Sequence, residues 1–318
     1  MSEAPNLAIG VDIGGTSIKF AVVDLEKGKV LKETSCTTPN VSANDIASLV
    51  VKNINVLIHQ YPDLSRIGLG VPGAMNAERT VVQYPPNFTL WKEEPLAEMI
   101  AAKLPIVDLV RMDNDAKCAA TAEMRFGSAK NEKFFLLATL GTGVGGALVS
   151  NGEIYRGAFG GAGEFGHVIV DLNGVSSPSG VRGCLEAYIG QRFLSERTLD
   201  ALSKSKQPSS LRKFIAGKIL EPKDITEAAQ EGDKFAIEVL ADAGRYLGCA
   251  MATVANLLDI RLFLVAGGVA QAGDLLLEPA RAALRENVLE QMRSSVEIRP
   301  AKLGTKAGVI GAALLTRD

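Results

Sequence analysis

The residues best equipped for chemistry begin with Asp12, which closes the apolar run Leu7–Val11 and is followed by Gly14-Gly15-Thr16 and then Lys19. Two glycines without a Cβ let a turn adopt positive φ and bring backbone N–H groups up to an anion. The Thr16 hydroxyl and the Lys19 ammonium add donors. Asp12 would repel a bare phosphate, but it fits if Mg²⁺ stands between them, because that ion is usually held by one or two carboxylates, waters and substrate phosphates. The stretch therefore reads as a strand, a phosphate-holding turn and a return strand, with a plain Gly-Gly hairpin as its alternative.

A second turn repeats the pattern. The apolar run Phe134–Leu140 enters Gly141-Thr142-Gly143-Val144-Gly145-Gly146, which matches GxGxxG. A dinucleotide fingerprint must open a helix, whereas here an apolar run and a further turn at Asn151-Gly152 follow. These glycines are expected to hold phosphate in a hairpin. No GxxxxGK[ST] occurs, which excludes a P-loop. Gly267-Gly268, after one apolar run and before a helical one, is a third place where backbone can approach a nucleotide, or else an ordinary turn.

Phosphoryl transfer to an alcohol asks a protein for positioning, charge stabilisation and one carboxylate to take the hydroxyl proton. Asp113 and Asp115, in Asp113-Asn114-Asp115, compete for that role, with Asp115 the candidate base. Strand alternation would put both acids on one face and Asn114 on the other, unless a turn intervenes. Capping of the next helix is the structural alternative for either acid. Glu164 and His167 lie in or beside the glycine-rich stretch 156–166, and with Glu186 they could hydrogen-bond a polyhydroxylated ligand. No GxSxG is present to support a hydrolase triad.

Several elements must position these groups. Residues 7–12, 20–24 and 29–35 read as an antiparallel meander, 44–59 as an amphipathic helix, and 66–73 as a strand ending in a Pro-Gly turn. A helix over 95–103, a strand over 106–112 and an Ala-rich helix over 116–126 follow. The second half offers strands at 134–140, 147–150, 154–156 and 168–171, and mainly helix from 184 to 258 with a break at 206–210. It closes with a strand at 260–265, a helix at 274–293, a strand at 296–301 and an apolar helix at 306–315. Gly244 and Gly248 within the long helix 233–258 mark a close helix crossing. Two halves that each open with strand, glycine turn and strand indicate an internal duplication in an α/β fold.

Composition sets the bounds. At 318 residues, with 47% hydrophobic residues and a mean hydropathy of +0.15, the chain can bury two cores. Its net charge of −2 and lack of like-charged blocks give no electrostatic footprint for nucleic acid. No apolar run is long enough to span a bilayer and the N-terminus is no signal peptide, so a cytoplasmic protein with no membrane contact is expected. Cys36, Cys118, Cys184 and Cys249 lack CxxC spacing and suit reduced thiols.

Taken together, Asp12-Ile-Gly-Gly-Thr16, Gly70-Val-Pro-Gly73, Asn114-Asp115-Ala116, Leu140-Gly-Thr-Gly143, Glu164-Phe-Gly-His167, Gly183-Cys-Leu-Glu186 and Ala266-Gly-Gly268 resemble, in order and over nearly the whole chain, the ROK sugar kinases. The resemblance implies an α/β, two-lobed actin-like ATPase (ribonuclease H-like) fold. A smaller lobe would comprise 1–115 completed by 303–318 and a larger one 116–302, with ATP and sugar in the cleft, and a homodimer is common. It implies ATP with Mg²⁺ as cofactor, a hexose as substrate, Asp115 as base, and Asn114, Glu164, His167 and Glu186 on sugar hydroxyls, with Gly73 and Asn87 as further sugar-site candidates. Gly14, Gly15, Thr16, Lys19 and Gly141, Thr142, Gly143 would hold phosphates, Asp12 the metal, and Gly267 and Gly268 would lie near the adenosine.

Two departures follow. Many members bind structural zinc through that histidine and CxCGxxGC, but this chain reads Ser177-Pro-Ser179-Gly-Val-Arg-Gly183-Cys184. A hydroxyl is a poor zinc ligand, so no zinc is expected and the loop should be held by packing and hydrogen bonds. Repressor members carry an N-terminal helix-turn-helix domain, and here the phosphate strand starts at Leu7. The expected activity is phosphorylation of a hexose, glucose first, at its 6-hydroxyl. Another hexose or N-acetylhexosamine, polyphosphate as donor (Ala122-Glu-Met-Arg-Phe-Gly127 is similar to that subgroup), and a non-catalytic sugar sensor are the alternatives.

Overall fold

The computed structural model describes residues 6–177 and 179–317. By its internal contacts the chain divides into two compact units. The first comprises the chain up to Lys133, Ala147–Gly163 and the segment from Lys302 on, and the second Phe134–Gly146 and Glu164–Ala301. The sequence placed the first boundary at residue 115.

The first unit is built on β1 (Leu7–Ile13), β2 (Ser17–Asp24), β3 (Lys29–Thr37), α1 (Ala43–Gln60) and β4 (Arg66–Val71). After short strands β5 (Ala74–Met75), β6 (Val82–Gln83) and β7 (Glu93–Glu94) come α2 (Leu96–Ala101), β8 (Leu109–Asn114) and α3 (Asp115–Phe126). Its main sheet has the order β3-β2-β1-β4-β8, with β1 antiparallel to β2 and parallel to β4. Ile46, Val50, Ile54 and Leu57 recur at helical spacing along α1 and join Ile9, Val11, Phe20 and Ile67 in one buried cluster.

The other face of β1 and β4 is shaped by absence. Gly10 and Gly68 are partners in register, and a Cβ on them would lie 1.8 Å from the Val309 carbonyl oxygen and 1.7 Å from that of Ala312. The C-terminal helix, numbered α9 below (Ala307–Leu314), thus rests its backbone directly on the sheet. Gly311 of α9 meets α3 as closely, its would-be Cβ 1.7 Å from the Cys118 carbonyl oxygen. That contact explains why the first unit continues past residue 115 through α3.

The remaining elements are β9 (Phe135–Leu140), β10 (Val144–Ser150), β11 (Glu153–Ile154), α4 (Glu186–Ile189), α5 (Gln191–Lys204), α6 (Pro222–Gln230), α7 (Lys234–Leu258), β12 (Leu262–Ala266), α8 (Asp274–Asn287) and β13 (Glu297–Pro300), followed by α9. The second sheet runs β11-β10-β9-β12-β13, the same path through the chain as the first, so the duplication expected from the two glycine turns is present. Gly244 and Gly248 seat α7 on α8, with would-be Cβ positions 2.3 Å from the carbonyl oxygens of Leu276 and Ala280. Two expected elements differ. The stretch 168–171 forms only the bridge Ile169 to Cys184 instead of a strand. The helix expected over 274–293 stops at Asn287, where Val288 turns extended, and a short 3₁₀ turn covers 290–292.

Candidate active site

In the first unit Asp12 lies near the end of β1, opposite Lys19 in register on β2. Its carboxylate is half-buried against the first turn of α9, where a Cβ on Gly308 would lie 2.5 Å from Oδ2. Burial first, and the charge of Asp115 second, push its pKa from an ordinary 3.8 up to about 6, against the opposing pull of Lys19. A carboxylate held back from ionising by desolvation and a second acid is the donor that a divalent cation relieves. Asp12 therefore fits Mg²⁺.

The turn beyond Asp12 is pinned by Thr38, whose hydroxyl donates to the Gly14 carbonyl at 2.7 Å and whose N–H donates to that of Thr16 at 3.0 Å. Gly15 and Thr16 are exposed. One expectation is corrected: neither Gly14 nor Gly15 has a positive φ. Gly15 is needed for a different reason, since a Cβ there would lie 2.8 Å from the Asn87 side chain. The turn and the exposed Asn87 are thus brought together. Lys19 donates weakly to the Thr305 carbonyl at 3.4 Å.

The end of the strand puts Asp113 and Asp115 in different elements. β8 ends at Asn114 and Asp115 is the first residue of α3, so alternation no longer relates the two acids. Asp113 is buried and accepts from Arg156 Nη2 at 2.5 Å, with Arg79 Nη1 3.7 Å from the same oxygen. It is a structural ion-pair residue. Asn114 is the helix cap: its Oδ1 accepts the N–H groups of Ala116 and Lys117 at 3.0 and 3.2 Å, and its Nδ2 donates to the Gly73 carbonyl at 3.1 Å. An amide nitrogen carries two hydrogens, so among the described residues Asn114 Nδ2 has a second donor besides the one given to Gly73. Gly73 takes φ +101 where a Cβ would meet Pro85. Asp115 is half-buried in the first turn of α3, with Oδ1 2.8 Å from the Ala116 nitrogen, a position where a carboxylate favours the helix.

In the second unit the Gly141–Gly143 turn and Glu186 meet. Glu186 Oε2 accepts the Val144 N–H at 2.9 Å, and a Cβ on Gly143 would lie 2.3 Å from that oxygen. One carboxylate oxygen of Glu186 therefore holds the turn, and Thr142 at its tip is exposed. Gly267, at φ +99, packs on Leu140, while a Cβ on Gly268 would meet open space. Glu164 is exposed and precedes a 3₁₀ turn, Phe165–His167. His167 Nδ1 lies 3.5 Å from Ser179 Oγ, which is 2.6 Å from Ser177 Oγ. Hydroxyls and the buried thiol of Cys184 make a poor zinc donor set. Among the described residues no group of three or more His, Cys, Asp and Glu side chains could hold a metal ion.

Sequence reasoning missed Thr38, Arg156 and Lys117. Lys117 is buried within α3 and donates from Nζ to the Gly160 carbonyl at 2.8 Å. A charged residue in a helix reads as solvent-facing, and nothing local signals a partner 43 positions away.

Two sheets of one strand path, each opened by a glycine turn and the first with two carboxylates beside it, are the parts of the actin-like ATPase fold. The family model described as "ROK family" matches residues 8–318, and the chain belongs to that family. It is 34% identical to a glucokinase of Streptomyces coelicolor over 98% of each chain. The crystal structure of a ROK family glucokinase from Streptomyces griseus in complex with glucose and AMPPNP is similar with a TM-score of 0.84 at 33% identity, covering 98% of this chain and 99% of that one. A xylose repressor of Bacillus subtilis is 27% identical over 98% of this chain and 77% of its own. No helix among the described residues is long and apolar enough to cross a membrane.

Proposed function

We propose that the chain is an ATP- and Mg²⁺-dependent hexose kinase, with glucose the first candidate substrate. The observation that carries this is the arrangement at the end of β8: Asp113 is buried in an ion pair with Arg156, while Asp115 opens α3 and its charge is felt by Asp12, the acid at the end of the glycine-turn strand, which supports Asp115 as the proton acceptor. Asp115 would accept the proton of the 6-hydroxyl as that oxygen forms its bond to the γ-phosphorus. The bond from the γ-phosphorus to the bridging oxygen breaks, ADP leaves, and the proton passes from Asp115 to solvent. Gly14–Thr16, Lys19 and Gly141–Gly143 would hold the phosphates, and Gly267-Gly268 would lie near the adenosine. Asp12 would hold Mg²⁺, which supplies charge neutralisation at the phosphates.

Asn114, Glu164, His167 and Glu186 would bind sugar hydroxyls, helped by Gly73 and Asn87. The glucokinase relatives and the glucose and AMPPNP complex support this reading over a sugar-sensing regulator. A homodimer and cytoplasmic residence belong to the same proposal, as do the absence of structural zinc, which rests on Ser177 and Ser179 in the loop before Cys184, and the absence of nucleic-acid partners, which rests on a net charge of −2 without like-charged blocks. The test is hexose-dependent release of ADP from ATP and Mg²⁺ across a panel of hexoses, with polyphosphate as the alternative donor. Release with at least one hexose supports the reading, and binding of sugar without phosphorylation from either donor contradicts it.

A further inference from the structure

The turn that carries Asp115 is fastened on both sides to one glycine-rich segment. Before Asp115, Asp113 is 1% exposed and takes a 2.5 Å bond from Arg156, where the segment begins. After it, Lys117 is 3% exposed and reaches the Gly160 carbonyl at 2.8 Å. Gly160 itself takes φ +87, and a Cβ there would lie 2.6 Å from the Met75 carbonyl oxygen, so the segment lies tight against β5.

Residues 157–163 include Gly157, Gly160, Gly161 and Gly163, three of them with positive φ. Such a run has little stiffness of its own, so its course is set by what holds it. Burying charged groups is costly unless they are paired, and apolar packing would often stabilise a fold as well or better. Two charged fastenings at the positions two before and two after the base serve to fix position.

We propose that Lys117 and Asp113 are positioning residues for the hexose. They set the course of 157–163, which is followed in sequence by Glu164 and His167, the residues proposed above to bind sugar hydroxyls. The inference rests on the kinase reading, since that reading assigns Glu164 and His167, which follow the segment, to hexose binding.

Hydrogen exchange of residues 157–163 in the ligand-free protein reads the fastening without any activity. In Lys117→Met these amides should exchange about tenfold faster or more than in the parent. The hexose KM should rise about tenfold or more, with kcat and the ATP KM within about threefold. Asp113→Asn should move both readouts in the same direction, and Lys117→Arg, which keeps donors in place, should move them less. Thr198→Val is the control for plain destabilisation: this buried hydroxyl of the second unit donates to Leu194 O, and its loss should lower Tm while leaving segment exchange and hexose KM unchanged. Unchanged exchange in both fastening variants overturns the proposal, as does faster exchange with the hexose KM unmoved. A parent protein without hexose-dependent ADP release fails the kinase reading instead, and that result precedes any variant.

Discussion

Replacing Asp12 by Asn should stabilise the metal-free protein above neutral pH while removing its capacity to use Mg²⁺. The carboxyl titrates at about 6 in the fold against an ordinary 3.8, because burial and then the Asp115 charge oppose its ionisation. A folded pKa above the unfolded one stabilises the fold fully below the lower value, and that contribution is lost as pH rises through the upper one. The difference between 3.8 and about 6 corresponds to about 3 kcal/mol at roughly 1.4 kcal/mol per tenfold change in acidity. Asn removes the ionisation and hence the loss. Urea unfolding in EDTA should therefore show Asp12→Asn more stable than the parent by about 2–3 kcal/mol near pH 8, and within about 0.5 kcal/mol near pH 4. Adding ATP with Mg²⁺ should reverse the order, because the ionised Asp12 then gains its counter-ion. An Asn variant no more stable than the parent near pH 8, or equally stabilised by Mg²⁺ with ATP, would refute the reasoning.

Two further outcomes concern the frame around the site. The fully buried Glu123 accepts the N–H groups of Ser128 and Leu303, both at 2.7 Å, so Glu123→Ala should cost about 3–5 kcal/mol in urea unfolding, and a change under about 1 kcal/mol would show that these bonds contribute little. Gly68→Ala would drive a Cβ to 1.7 Å from the Ala312 carbonyl oxygen, so α9 must shift and the loss should be about 3 kcal/mol or more, read as a lowered Tm, whereas Ala tolerated without loss would mean that α9 does not sit on β4 as described.

Much of this was legible in the sequence because it was local or repeated. The two glycine turns mark the duplicated sheets, and apolar alternation and helical spacing mark the strands and α1. Other features were set by groups distant in sequence. At Gly15 a Cβ would crowd the Asn87 side chain of another loop, so close approach and not positive φ distinguishes this glycine, and no residue beside it in sequence signals that. Alternation misled at Asp113-Asn114-Asp115 because the helix begins one residue earlier than its apolar pattern, with Asn114 as cap. The charged residues Arg156 and Lys117 carry no local sign that they turn inward. The stretch 168–171 has strand-like residues but only a single bridge, to Cys184, to pair with.

The central claim, that Asp115 takes the proton in transfer from ATP to a hexose, is tested most directly by Asp115→Asn. Single-turnover ADP formation and hexose binding would be measured side by side, using the best sugar of the panel. A structurally mild change at the general base should lower the chemical step by about 10²-fold or more while the hexose Kd stays within about threefold. An Asn variant that turns over within about fivefold of the parent would contradict the assignment.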